Sequence, residues 1–226
     1  MKQRQRTAKD TVPRRAVIFD FDGTIADSFE YVFDFLVKEA KNTTQFTAAD
    51  RRALRKMSMS RLALHLGVPF WRLPFTGFKG RRVMRAHMEH VQPFPGMVEV
   101  VRALYADGWL LFIASSNSAR NVRSMLRRCE IAECFTAVRG GAGLIGRFSK
   151  SAIIRRLMLR YRLRKSTTWY VGDELGDVAV ANAVGLPCVM VSWGFADPDK
   201  LRVLPLAGFA ERVSDIPRIL EGSSGK

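Results

Sequence analysis

Four short apolar runs in the sequence each end abruptly in polar residues. The run Ala16–Phe19 leads into Asp20, and the run Leu110–Ala114 leads into a serine pair. Two further runs, at 169–171 and 187–191, end in Gly-Asp and in Ser-Trp-Gly. Short apolar runs that contain β-branched residues are typical of buried parallel strands. The sequence therefore predicts four strands whose polar ends meet at one edge of a sheet, which is where ligands bind in open α/β sheets.

Helical patterns separate these predicted strands. Apolar residues recur at intervals of three and four in the stretches 97–104, 122–129 and 153–161. An alternation of strands and helices implies right-handed crossovers and a parallel sheet that is covered on both faces. We therefore expect an α/β fold with a Rossmann-like parallel-sheet core.

The segment 28–93 interrupts the alternation. It has no clear strand but helical stretches such as 31–41, 50–66 and 79–91, and it ends in the turn sequence Pro-Phe-Pro-Gly. We interpret this segment as an inserted small α-helical cap domain, with an all-helical continuation of the core as the alternative. The predicted organisation is a basic N-terminal tail at 1–13, a catalytic core at 14–27 and 94–226, and the cap at 28–93.

The chain has 37 Lys and Arg against 21 Asp and Glu, which gives a formal net charge of +16. Such a charge favours either a nucleic-acid partner or the attraction of a phosphorylated substrate. The arginines are not interleaved with exposed aromatic residues in a recognisable nucleic-acid-binding module, so nucleic acid is the less favoured partner. The sequence leaves the oligomeric state open.

Membrane insertion and secretion are both disfavoured. No stretch approaches the roughly 20 apolar residues that cross a bilayer, and the basic N-terminus lacks the apolar region of a secretory signal. The three cysteines have no metal-site spacing and are expected to be reduced. We expect a cytoplasmic protein without a membrane partner.

The sequence Asp20-Phe21-Asp22-Gly23-Thr24 places two carboxylates directly after the first predicted strand. Like charges this close repel, and a hard divalent cation such as Mg²⁺ offsets them. With a phosphate ester bound, Asp20 can attack phosphorus, and Asp22 can protonate the leaving alcohol if its pKa is raised. On its own, a pair of this kind more often marks a turn or a solvated strand end.

The other predicted strand ends add groups that suit a phosphate ester. Ser116 offers a hydroxyl, Lys150 offers a cation, and Asp173 and Asp177 offer further carboxylates. Each has a simpler interpretation when it is taken singly, as a helix N-cap, a solvated lysine or acidic residues at a helix start. Their shared position at the carboxyl ends of successive strands favours one common site.

In order and spacing, four segments resemble the motifs of the haloacid dehalogenase-like superfamily: VIFDFDGT, LFIASSN, the single Lys150 and YVGDELGD. The helical insert and the sequence PFPGMVEVVRAL resemble the helical-cap branch, which includes phosphoglycolate phosphatase and β-phosphoglucomutase. Dehalogenases of this superfamily attack carbon and lack the second aspartate of the first motif, so Asp22 indicates phosphoryl transfer. The resemblance extends from Val17 to Asp177.

The resemblance implies a role for each acidic residue. Asp20 is expected to be the nucleophile, and Asp22 the general acid and base. Asp173 is expected to bind Mg²⁺ together with Asp20 and the backbone carbonyl of Asp22. Asp177 is expected to orient a metal-bound water.

The resemblance also implies a phosphate site. Lys150 is expected to neutralise the phosphate and the nucleophile, and Ser116 and Asn117 to bind the phosphate. Ser115 leaves an ambiguity of one residue. Ser116 is preferred because it precedes Asn117 as in the family's Ser/Thr-Asn pair.

These roles together predict a Mg²⁺-dependent phosphomonoester hydrolase, similar to phosphoglycolate phosphatase, that acts on a small, anionic phosphorylated metabolite through an aspartyl-phosphate. A phosphomutase of the β-phosphoglucomutase type is the main alternative. A basic nucleic-acid-binding protein or a polynucleotide-end phosphatase is less favoured.

The cap is expected to select the substrate. One or two of its arginines could bind an anionic substrate tail, because guanidinium binds planar oxyanions through two hydrogen bonds. The candidates are Arg51, Arg52, Arg55, Arg61, Arg81, Arg82 and Arg85. The aromatic residues Trp71, Phe75 and Phe78 are expected in the core of the cap, with a substrate platform as the alternative.

Overall fold

The computed structural model describes residues 14–141 and 146–222, apart from the side chains of 146–149. In this part of the chain the strands are β1 (Ala16–Phe19), β2 (Ala26–Asp27), β3 (Gln92–Pro93), β4 (Leu110–Ala114), β5 (Phe135–Arg139), β6 (Thr168–Gly172), β7 (Cys188–Val191) and β8 (Gly208–Ala210). The helices are α1 (Phe29–Glu39), α2 (Ala48–Leu54), α3 (Met59–Leu66), α4 (Leu73–His87), α5 (Met97–Ala106), α6 (Ala119–Arg128), α7 (Gly146–Tyr161), α8 (Leu175–Val184), α9 (Pro198–Arg202) and α10 (Asp215–Gly222).

The centre of the fold is a six-stranded sheet in the order β5-β4-β1-β6-β7-β8, and all its neighbouring strands are parallel. Successive side chains of β1 enter opposite apolar layers, as a strand with both faces buried requires. Val17 and Phe19 pack in the layer that contains residues of α5, α6 and α10. Ala16 and Ile18 pack in the layer that contains residues of α7 and α8. The predicted Rossmann-like core is therefore confirmed.

The predicted strands match the observed ones closely, but two strands of the main sheet were missed. β5 at the sheet edge contains the exposed polar residues Thr136 and Arg139, and β8 has three residues, so neither forms a continuous apolar run. No described helix is both long enough and apolar enough to pass through a membrane.

The helices α1 to α4 lie between β2 and β3, and we call residues 28–91 the helical insert. β2 and β3 pair antiparallel, Ala26 with Pro93 and Asp27 with Gln92, so the two ends of the insert are adjacent. Most members of one apolar cluster lie in the insert, Phe33, Leu36, Leu62 and Leu66 among them, and Phe195 of the core also belongs to it. The division of the chain at 28 and 93 stays a prediction.

Two expectations for the insert were wrong. The predicted helix 50–66 is broken at 55–58 into α2 and α3, because Ser58 adopts an extended backbone (ψ 149°) before α3. Trp71, Phe75 and Phe78 do not lie in the core of the insert, since they are 74%, 71% and 62% exposed. Their spacing places them on one face of α4 and of the turn before it, and the opposite face of α4 packs inward.

Candidate active site

The central position of β1 brings the predicted site residues together. Phe19, its last residue, pairs with Ile113 of β4 and Val171 of β6, and the backbone N–H of Asp20 donates to the Val171 carbonyl oxygen at 2.8 Å. The carboxyl ends of β4 and β6 therefore flank Asp20. A cavity of about 410 Å³ lies between this sheet edge and the helical insert. Its core side includes Asp20, Asp22, Ser115, Ser116, Asn117, Lys150, Glu174 and Asp177.

Lys150 connects two carboxylates inside this site. Its Nζ lies 2.9 Å from Asp20 Oδ2 and 2.7 Å from Asp177 Oδ1, and the three side chains are at most 10% exposed. Burial disfavours the ammonium, but attraction to Asp177 and Asp20 outweighs burial and raises the pKa of Lys150 well above its ordinary value. Lys150 is therefore a fixed positive charge beside Asp20.

Asp177 is held by four hydrogen bonds. Its Oδ1 accepts from Lys150 and from the Tyr170 hydroxyl at 2.8 Å, and its Oδ2 accepts from the backbone N–H groups of Asp173 (3.1 Å) and Glu174 (3.0 Å). Burial opposes the charge of Asp177, yet Lys150 and these donors hold its pKa below the ordinary value. Because the four contacts occupy about all of its acceptor capacity, Asp177 positions Lys150 and the loop after β6.

Asp173 is also fixed through both carboxylate oxygens. Thr24 Oγ1 donates to its Oδ1 at 2.9 Å, and the backbone N–H of Phe195 donates to its Oδ2 at 2.8 Å. Two glycines leave room for the carboxylate. A Cβ at Gly23, which has φ +80°, would lie 2.2 Å from Asp173 Oδ2, and a Cβ at Gly194 would lie 2.2 Å from Asp173 Cβ.

Three carboxylates form a set that fits a metal ion. Oxygen atoms of Asp20, Asp173 and Asp177 all lie within 4.8 Å of one another. Burial raises the pKa of Asp20 to about 7, against the opposing effect of Lys150, and Asp177 raises it further. Burial, Asp177 and Asp20 raise the pKa of Asp173 well above its ordinary value. Such a set favours a hard divalent cation, and Asp20 and Asp173 are better placed to hold it than Asp177, whose oxygens are already occupied.

Asp22 lines the cavity beside Asp20, and its Oδ1 is held from two sides. Ser28 Oγ donates to it at 2.8 Å and Asn117 Nδ2 donates to it at 3.3 Å. Burial raises the pKa of Asp22 in spite of these donors and of Lys150. A raised pKa suits a carboxyl group that gives a proton to a leaving group and later takes one from water.

The side chain of Asn117 belongs to a hydrogen-bonded chain between core and insert. It donates to Asp22, and its Oδ1 accepts from Asn121 Nδ2 at 2.9 Å. Asn121 Nδ2 also donates to the backbone carbonyl of Arg81 in α4 at 3.0 Å. The contact that its side chain makes here is with Asp22. The predicted role of Asn117 in phosphate binding stays a prediction.

The two candidate serines differ in their surroundings. Ser115 directly follows β4 and is fully buried, and its Oγ accepts from the Asn117 backbone N–H at 2.9 Å. Ser116 is exposed, and both residues line the cavity. The predicted preference for Ser116 stays a prediction.

The insert contacts the site at a second point. Glu174 Oε1 accepts a hydrogen bond from the backbone N–H of Met59 at the start of α3, at 3.1 Å.

The cap arginines named from the sequence differ in their locations. Arg81 lines the cavity. Arg51 pairs with Glu30 and Asp34, and Arg55 pairs with Asp27. Arg52, Arg61, Arg82 and Arg85 are exposed.

Several contact residues were missed by the sequence analysis. Tyr170 lies within an apolar strand run, and Ser28 lies at the start of a helix, where a serine is ordinary. Asn121 is a polar position of α6, whose apolar spacing gives no sign of its role. Thr24 and Tyr170 lie within motifs that the sequence singles out, but nothing in the motifs indicates their contacts, and the partner of Thr24 is 149 residues away.

Comparison with known proteins identifies the family of the chain. A family model for haloacid dehalogenase-like hydrolases matches residues 17–191. A phosphoglycolate phosphatase of Synechococcus elongatus is 31% identical over 83% of this chain and 88% of its own length. A 5'-nucleotidase of Pseudomonas aeruginosa is 25% identical over 91% of this chain and 95% of its own length. Among solved structures, a predicted phosphatase from Clostridium acetobutylicum aligns with a TM-score of 0.75 at 24% identity, over 93% of this chain and 100% of that protein.

Proposed function

Because this chain belongs to the haloacid dehalogenase-like hydrolase family, we propose that it is a Mg²⁺-dependent phosphomonoester phosphatase that works through an aspartyl-phosphate at Asp20. One observation carries the proposal. Asp20 and Asp22 line the same cavity, and the Lys150 ammonium lies 2.9 Å from the Asp20 carboxylate. This arrangement offers a nucleophile, a proton donor and a charge-neutralising group to one phosphate ester.

The first half-reaction transfers the phosphoryl group to the protein. A carboxylate oxygen of Asp20 attacks phosphorus, the bond between phosphorus and the ester oxygen breaks, and Asp22 donates its proton to the departing alcohol. Lys150 favours the ionised form of Asp20, because its opposite charge counteracts the burial that raises the pKa of Asp20. The same ammonium offsets the charge of the transferred phosphoryl group.

The second half-reaction returns the protein to its starting state. Asp22, now ionised, removes a proton from water, the water oxygen forms a bond to phosphorus, and the bond between phosphorus and Asp20 breaks. Inorganic phosphate leaves. Ser28 and Asn117 hold one oxygen of Asp22 through both half-reactions, so the carboxyl group keeps its direction while it changes its protonation.

The proposed metal ligands are Asp20, Asp173 and the backbone carbonyl of Asp22. Asp177 positions the loop that carries Asp173, because it accepts a hydrogen bond from the Asp173 backbone N–H. Mg²⁺ bound there would offset the negative charges of the phosphate and of the carboxylates. Thr24, Phe195 and the two glycines around Asp173 keep its carboxylate in place for that purpose.

We assign phosphate binding to the serine pair after β4. The hydroxyl of Ser115 already accepts a hydrogen bond from Asn117, which fixes its oxygen and leaves its proton available to a phosphate oxygen. Because its oxygen is already fixed, Ser115 is preferred over Ser116 as the phosphate ligand.

Residues 28–93 are the proposed cap over this site. Hydrogen bonds between the core and the backbone of Arg81 and of Met59 hold this segment against the site. The substrate is a small phosphorylated compound, as for the phosphoglycolate phosphatases among the relatives. Arg81, which lines the cavity, is the cap arginine that is a candidate for contact with the substrate.

A phosphate-release assay tests the proposal. The purified protein is incubated with p-nitrophenyl phosphate in Mg²⁺ and in excess EDTA. We expect phosphate release in Mg²⁺, its loss in EDTA and its return when Mg²⁺ is restored. Equal release in EDTA would contradict the metal requirement. Incubation with a sugar phosphate separates hydrolysis from a mutase reaction, since a mutase isomerises the sugar phosphate without net phosphate release.

A further inference from the structure

We infer that the leaving alcohol of the substrate carries an uncharged apolar body, aromatic or branched aliphatic, that fills the insert side of the cavity. This inference rests on the proposed phosphatase function and names the substrate class for the same site. Three observations support it: the chemistry of the wall, a gap in α4 and the size of the cavity.

The wall that the insert contributes is largely apolar. It is formed by α1, α3 and α4, which lie opposite the carboxylates of the core. Among the described lining residues, Arg81 is the one charged residue from the insert. The apolar lining residues of the insert are Val32, Phe35, Leu36, Met59, Ala63, Leu73 and Met84. A wall of this kind is stabilised when an apolar group displaces water from it.

The inward face of α4 has a gap formed by small residues. Thr76, Gly77 and Gly80 line the cavity at intervals of one turn or less. Glycine inside a helix destabilises it, so two glycines within four residues of α4 need a reason other than helix formation. A Cβ at Gly77 would meet nothing within 4 Å, whereas a Cβ at Gly80 would lie 3.0 Å from Cε1 of Phe35. The open space thus lies at Gly77, and the ring of Phe35 packs against α4 about one turn further along, at Gly80.

The cavity is larger than a small hydroxy acid phosphate needs. Its volume of about 410 Å³ lies within the range of roughly 300–1,000 Å³ in which pockets enclose drug-sized ligands. A two-carbon leaving group would leave most of the apolar wall in contact with water. An apolar body of one ring, or of similar size, would cover Phe35 and the gap at Gly77.

A series of phosphate esters tests this inference. The substrates are 2-phenylethyl phosphate, ethyl phosphate and 2-phosphoglycolate. All three are esters of unactivated alcohols, so differences in kcat/KM among them report contacts with the insert. We expect kcat/KM for 2-phenylethyl phosphate to exceed that of the other two by at least about tenfold, since a few methylene groups in an apolar pocket already give such ratios.

Two variants of α4 and one of α1 localise the effect. Gly77→Leu fills the gap, and we expect it to lower the ratio of kcat/KM between 2-phenylethyl and ethyl phosphate about tenfold or more. Phe35→Ala, which enlarges the cavity instead, is expected to lower the same ratio through a higher KM. Arg82→Ala is the matched control, because Arg82 is exposed on the same helix, and its ratio should equal that of the wild type.

The outcomes separate this inference from the proposed function. Equal kcat/KM for all three esters, or a preference for 2-phosphoglycolate that is lost in Arg81→Ala, would overturn the apolar leaving group and leave the phosphatase standing. A ratio unchanged by both Gly77→Leu and Phe35→Ala would also overturn it. Absence of Mg²⁺-dependent phosphate release from every ester, p-nitrophenyl phosphate included, would overturn both.

Discussion

The ammonium of Lys150 lies 2.9 Å from Oδ2 of Asp20, with both side chains 10% exposed. The same ammonium contacts Asp177, so its position is set by the loop after β6 while its charge acts on the residue after β1. Burial raises the pKa of Asp20 and so favours its neutral form, and the Lys150 ammonium opposes that rise. Because a neutral carboxylic acid is a poor nucleophile, the pair favours the form of Asp20 that the proposed reaction needs.

Replacement of this lysine should remove that effect. We expect Lys150→Met to lower kcat by at least about 10²-fold, the cost of removing one preorganised electrostatic group from an active site. Phosphate release from p-nitrophenyl phosphate under saturating Mg²⁺ measures it. Arg156→Met is the control, because Arg156 is an exposed cation of the same helix. A kcat for Lys150→Met within threefold of the wild type would contradict the role assigned to Lys150.

The buried hydroxyl of Tyr170 should contribute to stability through Asp177. Tyr170→Phe removes one of the four donors to a buried carboxylate, and we expect the free energy of unfolding to fall by about 1.5–3 kcal/mol, as for hydrogen bonds to charged groups. Urea denaturation in EDTA measures it. Tyr105→Phe is the control, since Tyr105 is 53% exposed, and it should change stability little. Equal effects of the two substitutions would show that the contact with Asp177 is not the cause.

A side chain at Gly23 should displace Asp173. Gly23→Ala puts a Cβ 2.2 Å from Asp173 Oδ2, so we expect the Mg²⁺ concentration for half-maximal activity to rise at least about tenfold, as for other losses of support to a metal ligand. A Mg²⁺ titration of phosphate release measures it.

Gly108→Ala is a matched control for that change. Gly108 has φ +79°, against +80° for Gly23, but a Cβ there would meet nothing within 4 Å. Both variants therefore carry a similar backbone strain. If Gly108→Ala weakened the response to Mg²⁺ as much as Gly23→Ala, general strain would explain the effect and the specific contact with Asp173 would not.

The serine ambiguity can be resolved by paired substitutions. We expect Ser115→Ala to lower kcat/KM by about 10²-fold, because it removes a donor whose position is already fixed, and Ser116→Ala to lower it only a few-fold. Steady-state kinetics with p-nitrophenyl phosphate measure both. The reverse order would favour Ser116, as its place before Asn117 suggests from the sequence alone.

The core of the site could be predicted from sequence because strand ends carry a local signal. An apolar run that stops at Asp20, at Ser115 or before Asp173 marks a place at the sheet edge whatever the rest of the chain does. The supporting contacts carry no such signal. Thr24 and Asp173 are 149 residues apart, and Asn121 and Arg81 are 40 apart, so the partners meet only after the sheet and the insert have packed.

The insert shows the limit of periodicity as evidence. Helical spacing predicted that helices occur there, but not which face of α4 packs inward, because that depends on the neighbouring helices. Trp71 and Phe75 were expected in the core of the insert and are exposed, whereas Gly77 and Gly80 face the cavity. The inferred substrate preference therefore depends on a face that the pattern alone does not identify.

Chemical trapping of the phosphorylated residue tests the central claim most directly. Asp22→Asn is used with p-nitrophenyl phosphate, whose leaving group needs little protonation, so the first half-reaction proceeds and the second is slowed. After an acid quench, borohydride reduces an aspartyl-phosphate to homoserine, and peptide mass spectrometry locates it. We predict homoserine at position 20, dependent on substrate and Mg²⁺ and absent from the double variant that also carries Asp20→Asn. Homoserine at another position, or full phosphatase activity in Asp20→Asn, would contradict the assignment of Asp20 as the nucleophile.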